Sequence, residues 1–151
     1  MTNEELQFIT NGRLESAQIL IEHHDWFWAS YTMAMTLECA LKAAICKTLN
    51  LRAYPDPKSM RNDKIINIFY THEFEQLKLL AGLNEVFSPS SGEPEIVRNW
   101  SEFTKEFPGS WSDIRYDYNK QQQFDAAKAP PLYKNLTHPK NGIITKIKEK
   151  W

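Results

Sequence analysis

The chain has 151 residues and a formal net charge of −1, a size that fits one domain able to bury a core without disulfides or metals. Hydrophobic residues make up 42% and charged residues 25% of the sequence, which excludes a disordered or fibrous chain. Only two valines and five glycines are present, which argues against a β-sandwich or barrel, and no apolar run reaches the roughly 18 residues of a membrane-spanning helix.

The first half of the chain predicts two long helices joined end to end. Thr2 and Glu5 have the spacing of a capping box, and apolar residues then recur every three or four positions to about residue 24. Asp25 has the side chain of an N-cap and precedes a second helical pattern that ends near Leu49. We therefore expect helices over residues 3–24 and 25–49.

The second of these helices, residues 25–49, is apolar on nearly every side. Such a helix is normally buried on several faces, and in a small domain a second subunit can bury one of them, so this helix predicts a homodimer. Cys39 and Cys46 lie about 10.5 Å apart along it, too far to form a disulfide. Two buried thiols, together with an N-terminus that lacks a secretory signal pattern, predict a cytoplasmic protein.

Shorter elements are expected in the second half. Pro55 and Pro57 predict a loop over 51–59, and a short apolar segment follows at 65–69. Thr71 is positioned to cap a helix over 72–80 that Gly82 ends. Apolar spacing predicts a further helix that includes residues 96–107 and ends at Pro108, and another over 111–124.

The end of the chain differs from the rest in charge. Residues 1–119 carry 11 Lys and Arg against 17 Asp and Glu, whereas residues 120–151 carry seven lysines against two acidic residues. An irregular stretch is expected from Ala129, with a short last helix within 142–151. The basic segment is interpreted either as an arm for an anionic partner or as a tail lying on its own acidic body. The sequence thus predicts an all-α, up-and-down bundle of four or five helices in residues 1–128, with a basic extension over 129–151.

Common catalytic signatures are absent, and the four histidines and two cysteines never take metal-site spacing, so we expect neither a metal nor another cofactor. Glu38 and Lys42 stand four apart within the apolar helix. The carboxylate there is interpreted either as a buried group that meets Lys42 or Arg115, or as half of a solvated surface pair. His72 is read as a cap neighbour or as an acid or base.

The segment from Trp111 to Tyr116 places an arginine, Arg115, beside aromatic residues at helical spacing. A guanidinium in that position either packs on the rings through cation–π contact or forms a fork that binds phosphate.

These residues together resemble the HEPN superfamily of small α-helical bundles from prokaryotic toxin–antitoxin and defence systems. The resemblance spans residues 12–124 and depends on three stretches in order, YTMAMTLECALKAAICKTL, THEFEQLKLLAGL and WSDIRY. It implies a HEPN-like bundle, dimerisation, and a shared polar pocket or groove at Glu38, Lys42, His72, Trp111, Arg115 and Tyr116.

The activity known for that family is metal-independent RNA cleavage by an arginine and a histidine separated by four to six residues. Counted from Arg115, the histidine would stand at 120, 121 or 122, where this chain has Lys120, Gln121 and Gln122. The resemblance therefore implies a non-catalytic binding module for RNA, a nucleotide or a protein partner. The alternatives are a divergent endoribonuclease that uses His72 and Arg115, and a structural partner subunit of a nucleotidyltransferase.

Overall fold

The computed structural model describes residues 1–56 and 66–151, and within them all regular structure is helical. This confirms the predicted all-α bundle. Two short 3₁₀ helices span Ile66–Phe69 and Trp111–Tyr116, and the α-helices are α1 (Asn3–Glu22), α2 (Trp26–Thr48), α3 (Phe74–Leu80), α4 (Asn84–Phe87), α5 (Pro94–Thr104), α6 (Tyr118–Gln121), α7 (Ala129–Thr137) and α8 (Ile143–Lys148). None of the helices in the described ranges combines the length and apolar character needed to cross a bilayer.

Helices α1 and α2 form a hairpin whose ends match the predicted caps. The Thr2 hydroxyl accepts a hydrogen bond from the Glu5 amide, and the Glu5 carboxylate accepts one from the Thr2 amide at 2.8 Å, which completes the capping box. Asp25 accepts from the Trp28 amide and caps α2. Between the helices the backbone of His24 turns through the left-handed region at φ 61°, so α1 ends two residues before the predicted position.

Helix α2 is the centre of the core. Its residues between Ala29 and Cys46 are buried except for three half-buried positions, because α1, α3, α7 and α8 of the same chain pack around it. Both cysteines are buried and unpaired, as predicted. The sequence predicts a dimer because one side of α2 is expected to remain uncovered. Over residues 29–46 the other helices of the same chain cover α2. Homodimerisation therefore stays a prediction.

The shorter helices depart from the sequence patterns where side chains compete for the backbone. Helix α3 begins at Phe74, since the Thr71 hydroxyl accepts from the Glu73 amide at 3.0 Å and caps a turn rather than the helix. The prediction of a single helix over 111–124 is wrong. The segment is divided at Asp117, where the backbone is extended and the side-chain carboxylate caps the new helix α6. Of the predicted loop 51–59 and apolar segment 65–69, residues 57–65 lie outside the described part.

The C-terminal segment folds onto the bundle. The irregular stretch expected from Ala129 is α7, because Pro130 and Pro131 stand in its first turn, where an amide hydrogen has no helical partner to lose. Side chains of both terminal helices enter the core of the described chain, among them Leu136, Ile143 and Ile147. The expected last short helix is confirmed as α8.

Contacts with acidic residues hold this basic segment against its own chain. The Asn135 amide donates to Glu102 of α5 at 3.0 Å, and Lys128 pairs with Glu106 at 2.8 Å. The segment therefore lies on its own chain, as one of the two interpretations predicts, and a role as an arm for an anionic partner stays a prediction.

Candidate functional site

Glu38, on the largely apolar helix α2, lies at the centre of a cluster of polar side chains. The residue is only 9% exposed. One carboxylate oxygen accepts a hydrogen bond from Lys42 Nζ at 2.6 Å, and the other lies 2.8 Å from Nδ1 of His72. The carboxylate is therefore held by two basic groups rather than standing as half of a solvated surface pair. Arg115, the other cation considered for this role, is not among its partners.

His72 is fixed from its backbone as well as from its ring. Its carbonyl accepts a hydrogen bond from the Trp111 indole at 2.8 Å, and the two rings meet edge to face with centroids 6.1 Å apart. The imidazole side chain nevertheless remains 55% exposed. Its second nitrogen, Nε2, has no hydrogen-bond partner among the residues that the structure describes. The ring is thus oriented and stays accessible, which is what an acid, a base or a ligand contact requires.

A pocket of about 500 Å³ opens beside this cluster. Lys42 and His72 line it together with aromatic and turn residues, namely Met1, Tyr54, Pro55, Asp56, Phe69, Tyr70 and Thr71. The Tyr54 hydroxyl donates to the Phe69 carbonyl at 2.8 Å, and Lys42 Nζ lies 5.0 Å from the centre of the Tyr54 ring. Burial, reinforced by the Glu38 charge, raises the pKa of Tyr54 above its ordinary value, so this phenol stays neutral. The aromatic walls are therefore uncharged.

Arg115 and Tyr116 do not line this pocket. The guanidinium donates to the Tyr31 hydroxyl at 3.2 Å and lies 4.8 Å from the centre of the Tyr116 ring, so the predicted cation–π contact is present. Trp111 is buried between the two groups of residues. Its ring contacts His72 on the pocket side and Tyr31 on the arginine side. The six predicted residues thus form two neighbouring surfaces that share one indole.

Several pocket residues were missed by the sequence reasoning. Tyr54, Phe69 and Tyr70 belong to a turn or a short 3₁₀ element, where no periodic pattern marks a buried face. Tyr31 lies within the apolar pattern of the second helix, and the sequence does not predict its polar role because that role depends on Arg115, which is 84 residues away. Within the described ranges, no three His, Cys, Asp or Glu side chains are grouped to hold a metal ion.

No protein-family model, curated protein or solved structure matches this chain. The resemblance to the HEPN superfamily therefore remains a prediction from the sequence, and the geometry of the two surfaces carries the functional argument.

Proposed function

We propose that the protein is a non-catalytic, HEPN-like module that binds a nucleotide in the pocket beside Glu38, Lys42 and His72. The observation that carries this proposal is the accessible imidazole of His72, held by Glu38 at 2.8 Å on the rim of a cavity with aromatic walls. Ligand pockets are usually between about 300 and 1,000 Å³, and this one, at about 500 Å³, is of that class.

The chemistry of the lining suits the two halves of a nucleotide. Tyr54, Phe69 and Tyr70 offer uncharged ring faces and edges on which a base can stack. Lys42 and His72 stand at the polar edge. Lys42 offers N–H donors to a phosphate, and His72 offers one from Nε2 when its ring is doubly protonated. Glu38 compensates the Lys42 charge, which favours a small ligand with few phosphates over a long polyanion. We include the homodimer and a nucleotidyltransferase partner, both implied by the family resemblance, in this proposal.

Equilibrium binding of the four ribonucleoside monophosphates tests the proposal directly. We expect at least one of them to bind with a dissociation constant below about 1 mM, and His72→Ala and Tyr70→Ala to weaken it about tenfold. The matched controls are His24→Ala and Tyr118→Ala, which remove exposed rings outside the pocket lining. No detectable binding, or equal loss in the controls, would contradict the proposal.

A divergent endoribonuclease is the second candidate, because a carboxylate that holds Nδ1 of a histidine is the arrangement that orients a catalytic base. In that case His72 would move the proton and Arg115 would stabilise the charged phosphate. Incubation of labelled RNA with the protein in the presence of a chelator decides between the two. Cleavage that disappears in His72→Ala would favour the enzyme; we expect no cleavage by either protein.

A further inference from the structure

A second surface lies on the other side of Trp111 and is built around Arg115. The Tyr31 hydroxyl accepts a hydrogen bond from the guanidinium at 3.2 Å, and the Tyr116 ring lies against it at 4.8 Å. Trp28 continues this surface, since its indole meets the Tyr31 ring edge to face at 5.5 Å. Trp28 is 46% and Tyr116 78% exposed, so both of these large aromatic side chains are open to solvent.

The guanidinium is oriented but its charge is not compensated. Within residues 1–56 and 66–151, no carboxylate lies within ion-pair distance of Arg115. A guanidinium has five N–H donors in a rigid planar fork, and the Tyr31 hydroxyl engages only one of its nitrogens. Tyr31 and Tyr116 also raise the pKa of Arg115 above its ordinary value, so the group is charged at every pH of interest. Such a fork matches a carboxylate that approaches in its plane.

We propose that the surface formed by Trp28, Arg115 and Tyr116 binds a segment of a protein partner that presents one Asp or Glu side chain to Arg115, while the exposed rings pack on the apolar neighbours of that side chain. Trp, Tyr and Arg are the residues most enriched among those that dominate protein–protein binding energy. Tyr31 is buried behind them and fixes the arginine before the partner arrives, which reduces the entropy that binding would otherwise cost.

The charges around this surface favour a carboxylate over a nucleic acid. Two acidic residues, Asp113 and Asp117, stand on the same short segment as Arg115, and Lys120 lies 3.8 Å from Asp117. Binding of a nucleic-acid strand depends on several cations that neutralise successive phosphates, whereas Arg115 is the single cation among the three residues of the proposed surface. A single carboxylate requires only one.

Selection from a displayed library of random-sequence peptides tests this proposal with the intact protein as bait. We expect enrichment of peptides that combine Asp or Glu with aromatic or aliphatic residues. Affinity of the best peptide should fall at least about tenfold in Arg115→Gln, since a charge-assisted hydrogen bond is lost, and by less in Arg115→Lys. Arg98→Gln is the matched control, because Arg98 is an exposed arginine on α5.

Three outcomes would overturn the proposal. These are a selection without acidic enrichment, an affinity that Arg115→Gln leaves unchanged, and displacement of the selected peptide by single-stranded oligouridylate, which would assign the surface to nucleic acid. Circular dichroism of the variant confirms that the fold is kept. The result is independent of nucleotide binding, because Trp28, Arg115 and Tyr116 do not line the pocket.

Discussion

Replacing Glu38 with glutamine removes one negative charge from the most buried ion pair of the proposed pocket. The carboxylate is 12% and the Lys42 side chain 18% exposed, and their contact is 2.6 Å long. Removing one partner of a fully buried pair costs about 3–5 kcal/mol. Because the Lys42 side chain is partly exposed rather than fully buried, we expect Glu38→Gln to lower the free energy of unfolding by about 2 kcal/mol. At this chain length that corresponds to about 4–8 °C in melting temperature.

A double-mutant cycle separates the pair from the rest of the site. Lys42→Met keeps an unbranched aliphatic side chain but removes the ammonium group that lies over the Tyr54 ring, and it leaves Glu38 with His72 as its remaining partner. We expect the double variant to be more stable than the sum of the two losses implies, by about 1 kcal/mol or more, since neither charge is then left unpaired. Urea unfolding followed by far-UV circular dichroism measures all four proteins.

The matched control is the pair between Lys146 and Glu149, which has a similar contact of 2.9 Å but a carboxylate that is 62% exposed. Its variants should change stability by less than about 0.5 kcal/mol. If the losses at Glu38 and Lys42 simply add, the two charges do not interact in solution, and the reasoning that assigns Glu38 to fix the rim of the pocket fails.

Three further predictions concern backbone space and buried titratable groups. Gly12→Ala should stabilise α1 by up to about 1 kcal/mol because its new Cβ meets nothing within 4 Å. Gly142→Ala should lower the free energy of unfolding by about 1–3 kcal/mol because its Cβ would lie 2.6 Å from three backbone atoms. Thermal unfolding of the two variants measures both effects. Because the pKa of Tyr54 is raised in the folded protein, its contribution to the free energy of unfolding is fully present below pH 10.0, the ordinary pKa, and declines above it. Unfolding measured at alkaline pH should therefore show a steeper loss of stability in the parent protein than in Tyr54→Phe. Burial raises the pKa of Cys39 and Cys46, so Ellman's reagent at neutral pH should label neither thiol until urea is added.

Features that depend on nearby residues could be predicted from the sequence. Three such features are confirmed, and each depends on residues that are close together in the sequence: the capping box at Thr2, the cap at Asp25 and the apolar pattern of the second helix. The failures lie where a local signal is ambiguous. Prolines at 130 and 131 suggest a loop, yet in a first helical turn they are favourable, and only the core contacts of Leu136 decide between the two.

The candidate site was predicted in part for the same reason. Glu38 and Lys42 are four residues apart on one helix, so their contact follows from helical spacing. The contact between Glu38 and His72 spans 34 residues and was expected only through the family resemblance. The aromatic walls at Tyr54 and Phe69 have no signal of this kind, because their position is set by the turn after α2 and by a hydrogen bond between them.

The relation between His72 and Arg115 bears most directly on whether the protein is an enzyme. Acid–base cleavage of RNA requires both groups to reach the same phosphate in one geometry. In this protein His72 lines the pocket and Arg115 does not. The buried Trp111 ring contacts both His72 and Tyr31. The Arg115 guanidinium donates a hydrogen bond to the Tyr31 hydroxyl. A catalytic pairing within one chain would need both groups to reach one phosphate although Trp111 is packed between His72 and Tyr31. Two surfaces that bind different partners on the two sides of Trp111 require no such movement, and for this reason we favour a binding module.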